Sequence, residues 1–220
     1  MSKLFKGNVT NNVVELNLLD PAGTPTIVTK NTGANVVEQI VGDIPNYSLG
    51  SSPYYFSTVR GLVIGTSCTS IGSYSFAYLE SFSPTVDLGS LVIPDSVTSI
   101  GDYAFSTNYF TGPLTIPDSV TSIGRGSFSV CYNFTQLIII SSNLTSIGDN
   151  AFGSANGVTA AYINCPASSW VGSSAIGSPS LTNIYVHADY VAGYDATWKN
   201  NQVTTATVNT WDNYPNPIPN

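Results

Sequence analysis

Charge is what this chain has least of. Only 9% of its 220 residues are Asp, Glu, Lys or Arg, against the usual quarter of a soluble chain. The six basic residues, Lys3, Lys6, Lys30, Arg60, Arg125 and Lys199, are scattered through a chain of formal net charge −7. Neutralising a phosphate backbone needs basic residues gathered on one surface, so nucleic acid is excluded as a partner. Histidine is scarcer still: the single His187 leaves no His pair for a metal and little scope for a Ser-His-Asp relay. Three cysteines, Cys68, Cys131 and Cys165, make an odd count with no CxxC pair. That argues against a disulfide framework or a zinc site and for buried free thiols. No apolar run approaches the length of a membrane span, so no membrane insertion is expected. The two lysines of "MSKLFKGNVTNN" are followed by no apolar run, and the expectation is a chain without a secretory leader. A glycine-rich phosphate loop is missing as well. Asp95 and Asp118 share a repeat position, but two carboxylates fall short of the oxygens a calcium site needs. The residues therefore predict no enzyme, no catalytic residues, no cofactor and no metal.

What is present is a core and a hydroxyl-rich surface. Hydrophobic residues make up 42% of the chain, enough for one sizeable domain with a small appendage. Ser, Thr, Asn and Gly fill the polar positions. Four copies of one phrase then organise the middle: "TSIGSYSF" around Ile71, "TSIGDYAF" around Ile100, "TSIGRGSF" around Ile123 and "TSIGDNAF" around Ile147, spaced by 29, 23 and 24 residues. Upstream of each lies an apolar alternation, Leu62/Ile64, Leu91/Ile93, Leu114/Ile116 and Ile138/Ile140, which continues as Ala161/Ile163 and Ile184/Val186. Periods of this size mean a solenoid, because each unit buries its apolar face only against its neighbours.

Within a unit, a short strand such as "LTIP" points two side chains inward and the one between outward. The following "SVTSIG" adds Cys68, Val97, Val120 and Leu144 to the core. A tight turn next carries Phe76, Phe105, Phe128 and Phe152 inward as one column, with Ile176 as its successor. The position after the SIG glycine reads Ser73, Asp102, Arg125, Asp149, and stacking at about 4.8 Å predicts that Arg125 bridges the two carboxylates.

The phrases "LVIPDSVTSIGDYAF" from Leu91 and "LTIPDSVTSIGRGSF" from Leu114 resemble the BspA-like leucine-rich repeats over roughly residues 60–190. Cys131 falls where that family often places a cysteine, and "IYVHADYVAGYDATW" from Ile184 resembles the sequence that closes such arrays. The resemblance implies a curved leucine-rich-repeat solenoid used for adhesion or protein binding, known from bacterial and protist surfaces and from phage-encoded proteins, without catalytic residues. The expected fold is thus mainly β. About five to six coils of 23–24 residues span 59–188, after an N-terminal β segment (1–58) that caps or attaches the array and before a C-terminal cap and Pro/Asn-rich tail (189–220).

The residue between each inward pair gives an outward column: Val63, Val92, Thr115, Ile139, Tyr162 and Tyr185. An apolar stripe on a sheet face that ought to alternate to polar residues marks a binding surface. The alternative is that a flanking segment folds over it. The expected function is a non-enzymatic interaction module on a virion surface, as a decoration or fibre component. A bacterial adhesin on the cell surface, or a cytoplasmic protein-binding scaffold, is the alternative. Its partners are other proteins of a particle scaffold or host surface, with copies of the chain itself among the candidates.

Overall fold

The structure, a computed structural model, describes residues 6–10, 13–19, 25–31, 38–40, 62–64, 68–77, 89–139, 141–202 and 204–211. Its elements in chain order are β1 (Lys6–Thr10), β2 (Val13–Leu19), β3 (Pro25–Asn31), β4 (Glu38–Ile40), β5 (Leu62–Ile64), β6 (Ser70–Ile71), β7 (Ser99–Ile100), β8 (Gly112–Ile116), β9 (Ser122–Ile123), β10 (Phe134–Ile139), β11 (Ser146–Ile147), β12 (Ala160–Ile163), β13 (Asn183–Val186), the helix α1 (Ala196–Asn201) and β14 (Thr207–Thr210). The strands form three sheets, ordered β1-β2-β3-β4-β5, β14-β13-β12-β10-β8 and β11-β9-β7-β6. Pairing in the last two is parallel throughout. That pattern is the signature of successive coils laid side by side.

The SIG phrase makes the narrow sheet. Its serine and isoleucine pair coil to coil, Ser70–Ser99–Ser122–Ser146 and Ile71–Ile100–Ile123–Ile147, and every one of these isoleucines is buried. Glycine follows because the coils touch there: a methyl group on Gly124 would sit 2.6 Å from the Asp102 amide nitrogen and 2.7 Å from the Gly101 carbonyl carbon. The chain next turns through the left-handed region at Tyr74, Tyr103, Gly126, Asn150 and Ser174, with φ between 52° and 59°. Such a backbone is costly for non-glycine residues, and hydrogen bonding to the following coil offsets it. The amides of Tyr74, Tyr103, Gly126 and Asn150 donate to the carbonyls of Asp102, Arg125, Asp149 and Ser173.

The phenylalanine column stands as expected. Phe76, Phe105, Phe128 and Phe152 stack with ring centroids 5.1, 5.2 and 5.5 Å apart and nearly parallel planes. A second, shorter column joins it, Phe110 on Phe134 at 6.2 Å, with Phe110 edge-on to Phe105. Cys68, Cys131 and Cys165 are fully buried. Burial pushes the Cys131 thiol up to about 12 and that of Cys165 to about 11. Both stay neutral fillers of the core at physiological pH.

Hydroxyls satisfy the coil edges. Thr98, Thr121 and Thr145 each donate a side-chain hydrogen bond to the carbonyl of the threonine one coil earlier, and Thr159 and Thr182 repeat this on the other side. Here the Arg125 expectation is corrected. Among the described residues no ion pair joins Arg125 to Asp102 or Asp149. Asp102 instead accepts the Arg125 backbone N–H at 2.7 Å, and Asp149 accepts the Ser173 N–H at 2.6 Å. An N–H one coil away is a fixed partner, whereas the guanidinium reaches water, and it lies 6.0 Å from the Tyr103 ring centre. The Ser173 hydrogen bonds hold the Asp149 carboxyl below its ordinary range. Asp118 works the same way, accepting the N–H of Ser142.

At the N-terminal side, β1 to β4 pair antiparallel and β4 then pairs parallel with β5, Ile40 opposite Ile64. The expected domain boundary near residue 58 and the tail beyond Trp211 lie outside the described residues. At the C-terminal side the cap is built from Trp170, Tyr194, Trp198 and Gln202, all buried. Trp170 Nε1 donates to the Tyr194 hydroxyl, which donates to the Cys165 carbonyl. The Gln202 amide does what a further coil would do: its oxygen accepts the Ala175 N–H at 2.8 Å and its nitrogen donates to the Gly172 carbonyl at 3.0 Å. Gln202→Leu should therefore cost about 1–3 kcal/mol by stranding one buried and one half-buried backbone group. That reads as a melting point lower by roughly 2–4 °C per kcal/mol. Gln202→Glu, which accepts but cannot donate, should fall between the two.

Candidate functional site

The wide parallel sheet positions the outward column. Its register aligns Thr115 with Ile138, then Tyr162, Tyr185 and Asn209. The row thus departs from the sequence expectation at one coil. Ile139 pairs with Ile116 and Ile163, which point into the core, and is itself fully buried; Ile138 holds the outward position. The cause is local. The ladder shifts between Phe134 and Gln136, and "LIII" offers four apolar residues in a row, so alternation alone cannot tell its faces apart.

Exposure along the column is uneven. Val92 is 63% exposed, Thr115 and Tyr185 are half-buried, and Ile138 and Tyr162 are buried. Val63 lies in β5 opposite Gln39 of β4. The expectation of a continuous exposed stripe is therefore corrected at Tyr162. Its ring stacks on Tyr185 at 5.0 Å and meets Trp211 edge-on at 6.2 Å. Trp211 reaches this place because β14 adds a further row to the sheet and its own N–H donates to the Val186 carbonyl. The start of the C-terminal tail thus packs on the stripe, the alternative held open by the sequence. His187 joins the same group, 6.3 Å from Trp211 and 6.1 Å from Tyr190, with Nδ1 3.4 Å from the Asp189 carboxylate.

The face is thus two partly exposed areas on either side of a covered centre. One holds Val92 and Thr115. The other is an aromatic corner of Tyr185, His187, Tyr190 and Trp211, flanked by the amides of Asn183 and Asn209, which hydrogen-bond at 3.4 Å. Trp211 and Asn209 were missed at the level of sequence. The signal was present, since Thr207 follows Asn183 at the coil period of 24, but "TVNT" carries one apolar residue and reads as loop.

Among the described residues no three His, Cys, Asp or Glu side chains lie close enough to hold a metal ion. A void of about 10 Å³ between Phe128, Phe134 and Phe152 is lined by apolar side chains and Ser178, room for no more than a water molecule. No described helix is long and apolar enough to cross a membrane.

The fold is similar to one known from a solved structure. The chain is similar to the pneumococcal vaccine antigen PcpA, at TM-score 0.55 and 17% identity over 84% of this chain and 46% of that one. It is also similar to a leucine-rich repeat protein from Bacteroides ovatus, at TM-score 0.40 and 16% identity over 85% of this chain and 48% of that one. The chain spans about half the length of either. No curated protein matches the sequence. The profile of the BspA type leucine rich repeat region matches residues 44–168 and 79–203, with six copies of the repeat. The chain belongs to the BspA-type leucine-rich repeat family.

Proposed function

We propose that this chain is a non-enzymatic adhesion or protein-interaction module, and that it recognises another protein through the outward face of its wide parallel sheet. The observation that carries the reading is Val92: an aliphatic side chain 63% exposed at the repeat position one coil before Thr115, whose strand begins the wide sheet. Tyr185 and Trp211 rim the same face. Rigid aromatic and aliphatic groups on a fixed backbone lose little entropy on contact, which suits them as anchors. The low charge agrees, because hydroxyl and amide groups cost less to desolvate than charged ones. Leucine-rich repeat families are typically non-catalytic and bind proteins.

For a setting we favour a virion surface, with a bacterial cell surface as the alternative. The support is compositional, a neutral Ser/Thr/Asn exterior suited to an exposed part of a particle. Antibody labelling of purified particles decides it.

Photo-crosslinking tests the face itself. A photoreactive residue placed at Val92 should join the chain to one discrete protein. The same residue at Val171, 67% exposed but outside the outward column of the repeats, should give none. Equal products from both positions would show that exposure and not the sheet face directs the contact, and would end the proposal.

A further inference from the structure

We infer that β14 is a docking edge for a second copy of this chain, pairing antiparallel with its own equivalent across a two-fold axis at Asn209. The backbone supplies the argument. Among the described residues β14 is the outermost strand of its sheet. The amides of Thr207 and Trp211 donate inward, to the carbonyls of Thr182 and Val186 at 2.9 and 2.7 Å, and alternation gives Asn209 the same direction. The Ala206 amide is taken by the Thr204 hydroxyl. The N–H and C=O groups of Val208 and Thr210 therefore face away from β13, at an edge where Thr207 and Thr210 are exposed.

Those two residues are self-complementary. With the axis at Asn209, Val208 lies opposite the partner's Thr210 and Thr210 opposite the partner's Val208. Each pair exchanges both of its N–H to O=C bonds, as a hydrogen-bonded antiparallel pair does. Faces match as well, since opposed residues must share a side of the sheet and 208 and 210 do. The two five-stranded sheets then run on as one.

An open edge is ordinarily protected by charge, proline or a bulge. Residues 204–211 carry no charge and no proline, and the pairing of β14 with β13 is unbroken. Among the described residues, Gln202 and Trp198 close the rest of this end, and the edge of β14 is what they leave to be covered. A second copy fits it because two uncharged, identical strands meet there without the repulsion that a −7 chain would impose at most other surfaces.

The test is the mass of the full chain in solution across a wide concentration range, by light scattering or sedimentation. A concentration-dependent dimer is expected. Thr210→Pro removes one outward N–H while sparing every bond to β13, and the extended backbone that proline requires of Asn209 is already there. It should weaken the dimer at least tenfold with circular dichroism unchanged. Asn209→Asp gives a second route that keeps the backbone intact. It sets two carboxylates face to face on the axis, so the dimer should weaken at low salt and recover at high salt. A wild-type chain that stays monomeric throughout overturns the inference. So does a dimer that neither substitution alters.

Discussion

Phe128→Ala should lower stability by about 3–5 kcal/mol, the cost of a large cavity in a core that cannot close on it. Phe128 is fully buried and its ring is sandwiched between Phe105 at 5.2 Å and Phe152 at 5.5 Å, both within 8° of parallel. Each aromatic pair adds about 0.5–1.5 kcal/mol beyond area burial. Relaxation is blocked because the three backbones are themselves hydrogen-bonded in series. The amides of Phe105, Phe128 and Phe152 donate at 2.7 Å to Ser127, Ala151 and Ala175. The small void that Phe128 already lines can only grow. Thermal melting should show a fall on the order of 10 °C, against little change for the surface control Val92→Ala. A shift no larger than the control's would mean that the rings are not stacked between coils.

The second large effect comes from one added methyl group. Gly124→Ala would place a carbon 2.6 Å from the Asp102 amide nitrogen and 2.5 Å from the carboxylate oxygen that receives the Arg125 N–H. Two opposing terms decide the sign. Alanine restricts the unfolded chain and would stabilise by about 0.4–1 kcal/mol if it fitted. Overpacking against backbone that cannot move costs about 1–3 kcal/mol or more, so the clash wins. Gly177 is the matched control: an added methyl there meets its nearest neighbour, the Ser174 carbonyl, at 3.4 Å, an ordinary contact. Gly177→Ala should be neutral or slightly stabilising by chemical denaturation. Equal losses at both glycines would count against close coil contact at the SIG turn.

The repeat was legible because it is simple physics repeated. A buried phenylalanine and a glycine under a neighbouring backbone tolerate few replacements, so Phe105, Phe128, Phe152 and the SIG glycines stand out by eye. Legibility failed where several residue types serve equally well. Ile139 was assigned outward because four consecutive apolar residues satisfy either face, and only the shift before Gln136 decides. Arg125 invited an ion pair by its place between aspartates, yet the backbone N–H groups of the next coil compete better than a solvated guanidinium. Gln202 gave no warning of its role, since capping depends on where the coil ends and not on a motif. For the binding face, sequence found the column but not its cover. The ring of Trp211 comes from a strand whose polar residues hide the period.

Thiol labelling tests the stacked core most directly. Cys68, Cys131 and Cys165 lie in three different coils, each fully buried. Desolvation suppresses the reactive thiolate of Cys131 and Cys165. A short array closed at its end should open as a unit, since each coil is held by its neighbours. In native buffer near pH 8 none of the three should react with an aromatic disulfide reagent. Raising denaturant should expose all three within one transition that coincides with loss of circular dichroism. One cysteine reacting in native buffer while the other two stay protected would contradict the account, because it would show coils that open on their own.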